Sequence, residues 1–352
     1  MYSPADISNL IYKVRSELGL CATLKPKIVE TYYDREANSL FIIAADRPDK
    51  SAVLGPGGWV LSLIRKKLGV TAVGVRSKLD LEAKKQRIKL AAEQLRRLSQ
   101  DVDGHLRKII DSRLLPMLKN ELNYPARTFF ERKPLKKHAL IIALSGGVDS
   151  TTALVLAWKA GLNPIAITMS PGTWLIPAET RRIINTVVSR LGVHHEYIDS
   201  TKAYEEMFRD ALKGKIHPCG RCHTITATRL IEIAKNRKIP LIGFGDLLPT
   251  GTYSSYIVEE NLVRFNIPAS LSLSKIDTIL TARQFGHPGA SFVYGCPLIR
   301  EVHRRYPQFC YASLHRVLRE TRAGILEPGQ ALKYVKNIMQ LSGKKADGQG
   351  WS

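Results

Sequence analysis

The sequence predicts an α/β protein: a parallel sheet with helices on both faces, preceded by a smaller α+β module and a basic helical connection. Three observations predict it. The first is the continuous apolar run Ala139-Leu140-Ile141-Ile142-Ala143-Leu144. It leads through Ser145-Gly146-Gly147-Val148-Asp149-Ser150 into a helical stretch from Thr151 to Trp158. A strand buried on both faces reads as a short unbroken hydrophobic run, not as an alternation. The second is repetition of that unit. Strand-like segments near 139–144, 164–168, 194–198 and 240–244 alternate with helix-like segments near 150–160, 177–191, 201–212 and 223–237. Such alternation gives parallel strands with crossover helices, and ligands gather at the carboxyl ends of the strands. The third is a change of character before residue 138, where short strands, a glycine-rich turn and a basic helical stripe replace the α/β pattern.

The elements follow in order. Lys27 to Tyr33 and Ser39 to Ala44 read as strands joined by the turn-rich Asp34-Arg35-Glu36-Ala37-Asn38. Val53-Leu54-Gly55-Pro56-Gly57-Gly58-Trp59-Val60 leads into an amphipathic helix from Leu61 to Leu68 that stops at Gly69, and Thr71 to Val75 is again strand-like. Glycines at 55, 57 and 58 let another backbone come close, because side chains there would hold it away. Lys50, Arg65, Lys66 and Lys67 lie nearby in sequence. This module is expected over 1–78.

Between Lys78 and Lys137 basic residues crowd a helix-forming segment that includes Lys84, Lys85, Arg87, Arg96, Arg97, Arg107, Lys108 and Arg113. Leu81, Ile88, Leu95, Val102 and Ile109 recur every seven residues, with Leu98 and Leu106 between them; Leu90 falls off the stripe and Gly104 interrupts it. One or two basic helices over 79–137 are therefore expected. The α/β domain should follow over 138–297. A helical C-terminal region should fill 298–352, with a disordered tail from Gly343.

The chain has 352 residues, 44% hydrophobic and 24% charged, with a net charge of +22. That charge favours a polyanionic partner, nucleic acid before anionic membrane. No apolar run approaches the length of a membrane span, and the N-terminus reads as neither signal nor transit peptide; a cytoplasmic protein is expected.

Strand, two glycines and a helix start at 145–150 describe a phosphate cradle, because the first N–H groups of a helix and its positive dipole end face the anion. There is no G-x-x-x-x-G-K-[ST] and no G-x-G-x-x-G. The string resembles the S-G-G-x-D-S signature of the PP-loop ATP pyrophosphatases, an adenine nucleotide alpha hydrolase-like fold. The resemblance implies ATP binding by Ser145, Gly146, Gly147, Asp149 and Ser150, with Gly243, Asp246 and Met169 at neighbouring strand ends. Mg²⁺ would bridge the phosphates, Asp149 would orient the metal or the phosphate, and adenine would stack near Met169. In the N-terminal module, G-x-x-G between helices and beside a small sheet resembles a KH domain of the prokaryotic kind. That implies RNA binding by Gly55, Gly57, Gly58, Lys66 and Lys67, with the loop clamping about four nucleotides of a single strand.

Five cysteines and the absence of a secretory signal argue against a disulfide framework. Cys219-Gly220-Arg221-Cys222 can aim two thiolates at one metal, ahead of a helix expected from His223 to Arg237. Taken alone it admits a redox pair, a zinc site completed by Cys310 or a histidine such as His223, or an iron–sulfur cluster. Cys21 and Cys310 read as structural. The order of PP-loop, C-x-x-C and a later cysteine, here Cys296 before Pro297, resembles the iron–sulfur-dependent tRNA thiolation enzymes over about Leu140 to Arg305. That implies a [4Fe-4S] cluster on Cys219, Cys222 and Cys296, with Asp149 and the three cysteines catalytic. It also implies an ATP-dependent sulfurtransferase that adenylates a base carbonyl of tRNA or another structured RNA and replaces its oxygen with sulfur. Sulfide or a sulfur-donor system would be a partner, and a homodimer is allowed. The family's G-H-x-x-D-D motif is missing; Leu241-Ile242-Gly243-Phe244-Gly245-Asp246-Leu247 stands there, with one acid in place of two. Asn261 to Ser274 matches no recognised pattern. Two other functions remain: a small-molecule PP-loop ligase with structural zinc, which would need neither the basic segment nor a KH-like module, and a non-catalytic RNA-binding protein.

Overall fold

The computed structural model describes residues 2–20, 25–127, 133–173, 175–289 and 292–343. They divide into two compact units, 1–89 with 119–128, and 90–118 with 129–352. The segment 79–137, expected as a separate connection, is shared between the two. None of the described helices is long and apolar enough to cross a membrane. Cys21 and the expected tail beyond Gly343 lie outside the described residues.

The first unit runs α1 (Pro4–Glu17), β1 (Ile28–Asp34), β2 (Ser39–Ala44), α2 (Arg47–Leu54), α3 (Trp59–Leu68) and β3 (Ala72–Ser77), then enters α4 (Lys78–Gln100). β2 is the central strand, antiparallel to β1 and parallel to β3. Ile7, Ile11 and Val14 of α1 pack with Val53, Val60 and Ile64 against Leu40, Ile42, Val73 and Val75. The Gly55–Gly58 turn joins α2 to α3, and Gly55, Gly57 and Gly58 all have positive φ, of 67°, 59° and 81°. A Cβ at Gly55 would collide with Val60 Cγ2, so the tight turn into α3 excludes any side chain there.

The heptad stripe is a buried face: Leu81, Ile88, Leu95 and Leu98 are buried on α4, while Leu90 is exposed. α4 ends at Gln100, and Asp103 caps α5 (Gly104–Ile109), accepting from Leu106 N at 2.7 Å. A π-helical turn leads on to α6 (Leu115–Glu121). The basic residues of this segment are not all a solvated face. Lys84 is 6% exposed and pairs with Glu121 at 2.8 Å, and Glu121 also pairs with Arg127 at 3.1 Å.

The second unit is built on a six-stranded sheet in the order β6-β5-β4-β7-β9-β8. Its strands are β4 (Leu140–Ala143), β5 (Ile165–Ser170), β6 (His195–Asp199), β7 (Leu241–Phe244), β8 (Ser255–Glu259) and β9 (Leu262–Asn266). All neighbours are parallel except the β8–β9 edge hairpin. α7 (Val148–Lys159), α8 (Ala178–Leu191), α9 (Thr201–Leu212) and α10 (Pro218–Arg237) make the crossovers. The short α11 (Ile267–Ser270) and α12 (Lys275–Gln284) follow β9, and α13 (Pro297–Arg305), α14 (Cys310–Arg322) and α15 (Pro328–Gly343) complete the chain. The protein is therefore mixed α/β with a large, mainly parallel sheet. Leu298 and Val302 of α13 pack in the sheet's own core beside Ile141, Tyr204, Phe244 and Leu262, so the C-terminal helices begin within this unit.

Two elements differ from expectation. α10 begins at Pro218, five residues before His223, because proline at a first helical position has no N–H to lose. Cys219 and Cys222 thereby lie within the first two turns of the helix instead of ahead of it. Asn261 to Ser274 holds β9, whose five residues are all buried. Its central Arg264 disguises it as a polar segment.

Candidate active site

The loop after β4 is knitted by its own hydroxyls. Ser150 Oγ donates to Gly147 O at 3.0 Å and accepts from Ser145 N at 3.2 Å, and the Ser145 and Ser150 hydroxyls lie 3.1 Å apart. Gly146 has a φ of 78°, and a Cβ there would meet Thr180 Cγ2 at 2.7 Å. Gly147 caps α7 with no side-chain bond, which leaves the first N–H groups of the helix to a ligand. This is the geometry of an anion cradle at the carboxyl end of the sheet's central strands.

The segment around α12 closes this loop from outside. Lys275 Nζ donates to Asp149 Oδ2 at 2.7 Å, and Thr278 Oγ1 lies 2.9 Å from Asp149 Oδ1. Burial disfavours charge on Lys275, but Asp149, with Tyr334 and Glu320, outweighs it and holds the pKa above the ordinary value. Both carboxylate oxygens of Asp149 thus accept one side-chain hydrogen bond each, and the side chain remains 29% exposed. His287 is buried, accepting from Gly289 N at its Nδ1 (2.9 Å), so its Nε2–H donates to Gly146 O at 3.0 Å. Burial keeps that imidazole neutral. Sequence reasoning missed Lys275, Thr278 and His287. They lie more than 120 residues downstream, and the only local signal was the capping box of Ser274 and Asp277 that starts α12.

β7 brings Gly243, Gly245 and Asp246 to the same sheet end. A Cβ on Gly243 would collide with Ile142 Cδ1, so this glycine serves the packing of β7 on β4. At Gly245 a Cβ would stand 2.5 Å from Ser150 N and 2.6 Å from Asp149 C. Main chain therefore lies directly on main chain, and neither side can swing away. Gly245→Ala is expected to push the loop from its place, costing about 1–3 kcal/mol of stability and ATP binding with it. Thermal unfolding and equilibrium dialysis with ATP would measure both, and unaltered ATP affinity would contradict the contact. Met169, near the end of β5, is 8% exposed and packs in the core, so what it can show a ligand is mainly main chain.

Asp246 leads to the cysteines. Arg264 Nη2 donates to Asp246 Oδ2 at 2.6 Å and to His223 Nε2 at 2.9 Å, and its guanidinium lies 3.9 Å from the centre of the Phe244 ring. Since arginine can only donate, His223 accepts at Nε2 and its own proton sits on Nδ1, although 43% of the His223 side chain is open to solvent. His223 follows Cys222 in the first turns of α10. Cys219 and Cys222, three residues apart at that helix start, share a face. Cys296 is the N-cap of α13. Burial pushes the Cys219 thiol up to about 12, Cys296 and Cys222 push the same way, and Arg316 opposes them. Burial and Cys296 push Cys222 up to about 11. The three thiols therefore lie within electrostatic reach of one another, and Cys219 and Cys222 would each need a cation to become a thiolate at neutral pH.

Among the described residues no group of three or more His, Cys, Asp or Glu side chains is gathered to hold a metal ion. A single tetrahedral zinc, with bonds of about 2.3 Å to sulfur, has no ready-made site. Cys310 is 3% exposed in an apolar cluster with Val317, Leu326, Ala331 and Ile338, which is a core position.

No protein-family model matches the chain. It is 27% identical over 265 residues to an uncharacterized protein of Methanocaldococcus jannaschii, covering 75% of this chain and 96% of that one. Over 79 residues, 22% of this chain, it is 40% identical to the glutamine-hydrolysing GMP synthase of Pyrococcus abyssi, with a similar match to that of Pyrococcus horikoshii. The match spans about a quarter of the length of those synthase chains, 24% in each case. Among solved structures, the U34-tRNA thiolase from Methanococcus maripaludis with its [4Fe-4S] cluster overlays with a TM-score of 0.35 at 16% identity, over 62% of this chain and 78% of that one.

The proposed RNA residues lie in the other unit. Gly57 and Trp59 are exposed at the start of α3, and Lys66 is exposed near its far end. Seven residues at 1.5 Å each separate Trp59 from Lys66 by about 10 Å along the helix. Lys67 pairs with Glu17 at 2.9 Å, and Lys50 with Asp80 at 2.9 Å. The glycine turn and the lysines are therefore separate features.

Proposed function

We propose that this chain is an ATP-dependent, PP-loop type RNA sulfurtransferase, which adenylates a base carbonyl and exchanges its oxygen for sulfur. The observation that carries this reading is a continuous run of contacts. It goes from the phosphate cradle through Gly245 and Asp246 to Arg264, His223 and the cysteine-bearing start of α10. A nucleotide half and a thiol half in one site suit activation of an oxygen followed by attack of sulfur.

ATP's phosphates would lie on the N–H groups of 145–150, and Mg²⁺, when bound, would offset their negative charge. Lys275 supplies the positive charge that the loop itself lacks, and Asp149 and Thr278 hold it in place. The carbonyl oxygen of the base attacks the α-phosphorus, pyrophosphate leaves, and oxygen departs later as AMP when sulfur attacks the same carbon. Cys219, Cys222 and Cys296 would hold a [4Fe-4S] cluster, which when bound supplies an open iron position for sulfide. Around it, Cys219 and Cys222 are half-buried while Cys296 stays exposed, and Arg316 offsets negative charge. The base must be unstacked to enter, and the KH-like N-terminal unit would hold the flanking strand. An ATP–pyrophosphate exchange assay with and without RNA tests the reading. ADP and phosphate as products would remove it, and exchange that ignores RNA would favour a small-molecule ligase.

The N-terminal unit gives its own test. Gly57→Asp with Gly58→Asp places two carboxylates in a turn where a Cβ meets nothing closer than 3.4 Å. Both positions have positive φ, which aspartate tolerates better than most residues. RNA binding should weaken at least about tenfold, and wild-type binding should fall steeply with salt through counterion release. Unchanged affinity in filter binding would take this turn out of the RNA surface.

A further inference from the structure

Arg264 is a strongly buried charge on the line between the two halves of the site. It is 7% exposed on β9 and faces acceptors on its own strand, on the loop after β7 and on α10. Its Nε donates to Asn266 Oδ1 at 3.0 Å, and its Nη2 donates to Asp246 Oδ2 at 2.6 Å and to His223 Nε2 at 2.9 Å. Phe244 covers its flat face. Asp246 adjoins Gly245, which lies on the main chain of Asp149 and Ser150, and His223 adjoins Cys222. A buried charge is costly unless it is fully paired, and an apolar residue of similar size would fill the space more cheaply. What an apolar residue cannot do is join β7 to α10.

We propose that Arg264 is a positioning residue that couples the phosphate loop to the cysteine-bearing start of α10, keeping the activated base aligned with the sulfur that attacks it. This rests on the sulfurtransferase reading. The planar guanidinium serves acceptors in different directions at once and also stacks on a ring; an ammonium on a flexible stem does neither. The guanidinium also fixes His223 in its Nδ1–H tautomer. Without it, adenylation continues but the adenylated base meets water more often than sulfur, so AMP is released unproductively.

The test uses the full chain with Arg264→Lys and Arg264→Gln, each first checked for native thermal unfolding. Sulfur incorporated into RNA and AMP released are counted in the same reaction, and ¹⁵N-histidine spectra report the His223 tautomer. Both variants should keep ATP–pyrophosphate exchange while losing sulfur incorporation by about a hundredfold, as misplacement near a reacting centre can cause. AMP released per sulfur transferred should rise to match. Exchange and sulfur transfer falling together would overturn the coupling role, because a merely structural defect lowers both. Full activity in Arg264→Lys would overturn it too. If the wild-type protein shows no RNA-dependent exchange, the sulfurtransferase reading fails, and the strut is judged without RNA. A His223 signal that changes from the Nδ1–H form to a tautomer mixture in Arg264→Gln supports the strut, and an unchanged signal overturns it.

Discussion

Replacing Asp149 by alanine is expected to abolish RNA-dependent pyrophosphate release and, in addition, to destabilise the fold. The second effect comes from Lys275. Its side chain is 11% exposed, and Asp149 is the carboxylate it touches, at 2.7 Å. Removing one partner of a buried pair leaves an uncompensated charge, at a cost of about 3–5 kcal/mol. The low end applies here, because the side chain of Asp149 is 29% exposed. Asp149→Asn keeps the shape and one acceptor, so it should lose activity with a smaller loss of stability.

The pH dependence gives a sharper check. In the native protein the Lys275 pKa is raised above 10.5, so its stabilising contribution is complete below that value and disappears only as pH climbs through the folded pKa. Between pH 7 and 9.5 this group adds no slope. Without Asp149, burial dominates and the folded pKa falls below the unfolded one. The unfolded chain then binds the proton better, and Asp149→Ala should gain stability as pH rises from 7 toward 10. Urea midpoints at pH 7 and 9.5 would show it. A variant with no such gain would mean that Lys275 finds another anion.

The second large effect concerns the thiols. Protein purified without air should be brown and carry about four irons per chain, the stoichiometry of one cubane cluster. Cys219→Ala, Cys222→Ala or Cys296→Ala should each lose most of the iron and all sulfur transfer. Adenylation should survive, because the phosphate cradle contains no cysteine. Cys310→Ala removes a sulfur from an apolar cluster; it should cost about 1 kcal/mol of packing and leave the iron in place. Colourless anaerobic protein with one tightly held zinc would overturn the cluster and point to a structural site that closes only around its metal.

Four neighbouring parallel strands of the sheet, β4 to β7, are legible in the sequence because the sheet's central two, β4 and β7, announce themselves locally and the helices repeat between them. Leu140 to Ala143 and Leu241 to Phe244 are short apolar runs soon followed by glycine, and the helices between them carry ordinary apolar stripes. The glycine loop was legible for the same reason: Gly146 and the uncapped start of α7 are properties of consecutive residues. The heptad from Leu81 to Ile109 shows in the sequence and lies buried in the structure.

Other features needed the fold. β9 is hidden because Arg264 breaks its apolar run, and a guanidinium is tolerated there only when Asp246 and His223 converge on it from elsewhere and join Asn266 of the same strand. The start of α10 was placed late because a proline reads as a helix boundary without saying on which side the helix lies. The charge of Lys84 looked like part of a solvated face, yet it is buried against Glu121, 37 residues away.

By itself, then, the sequence determined four parallel strands of the sheet, the glycine loop after the first of them and the placing of three cysteines after it, since all three are written in local periodicity and short-range spacing. Only the tertiary structure decided that Lys275 pairs with Asp149 of that loop, and that Arg264 bonds both Asp246 and the histidine beside Cys222. Those pairings are chosen by burial, which makes an isolated charge too costly to leave alone and so brings together partners far apart in the chain.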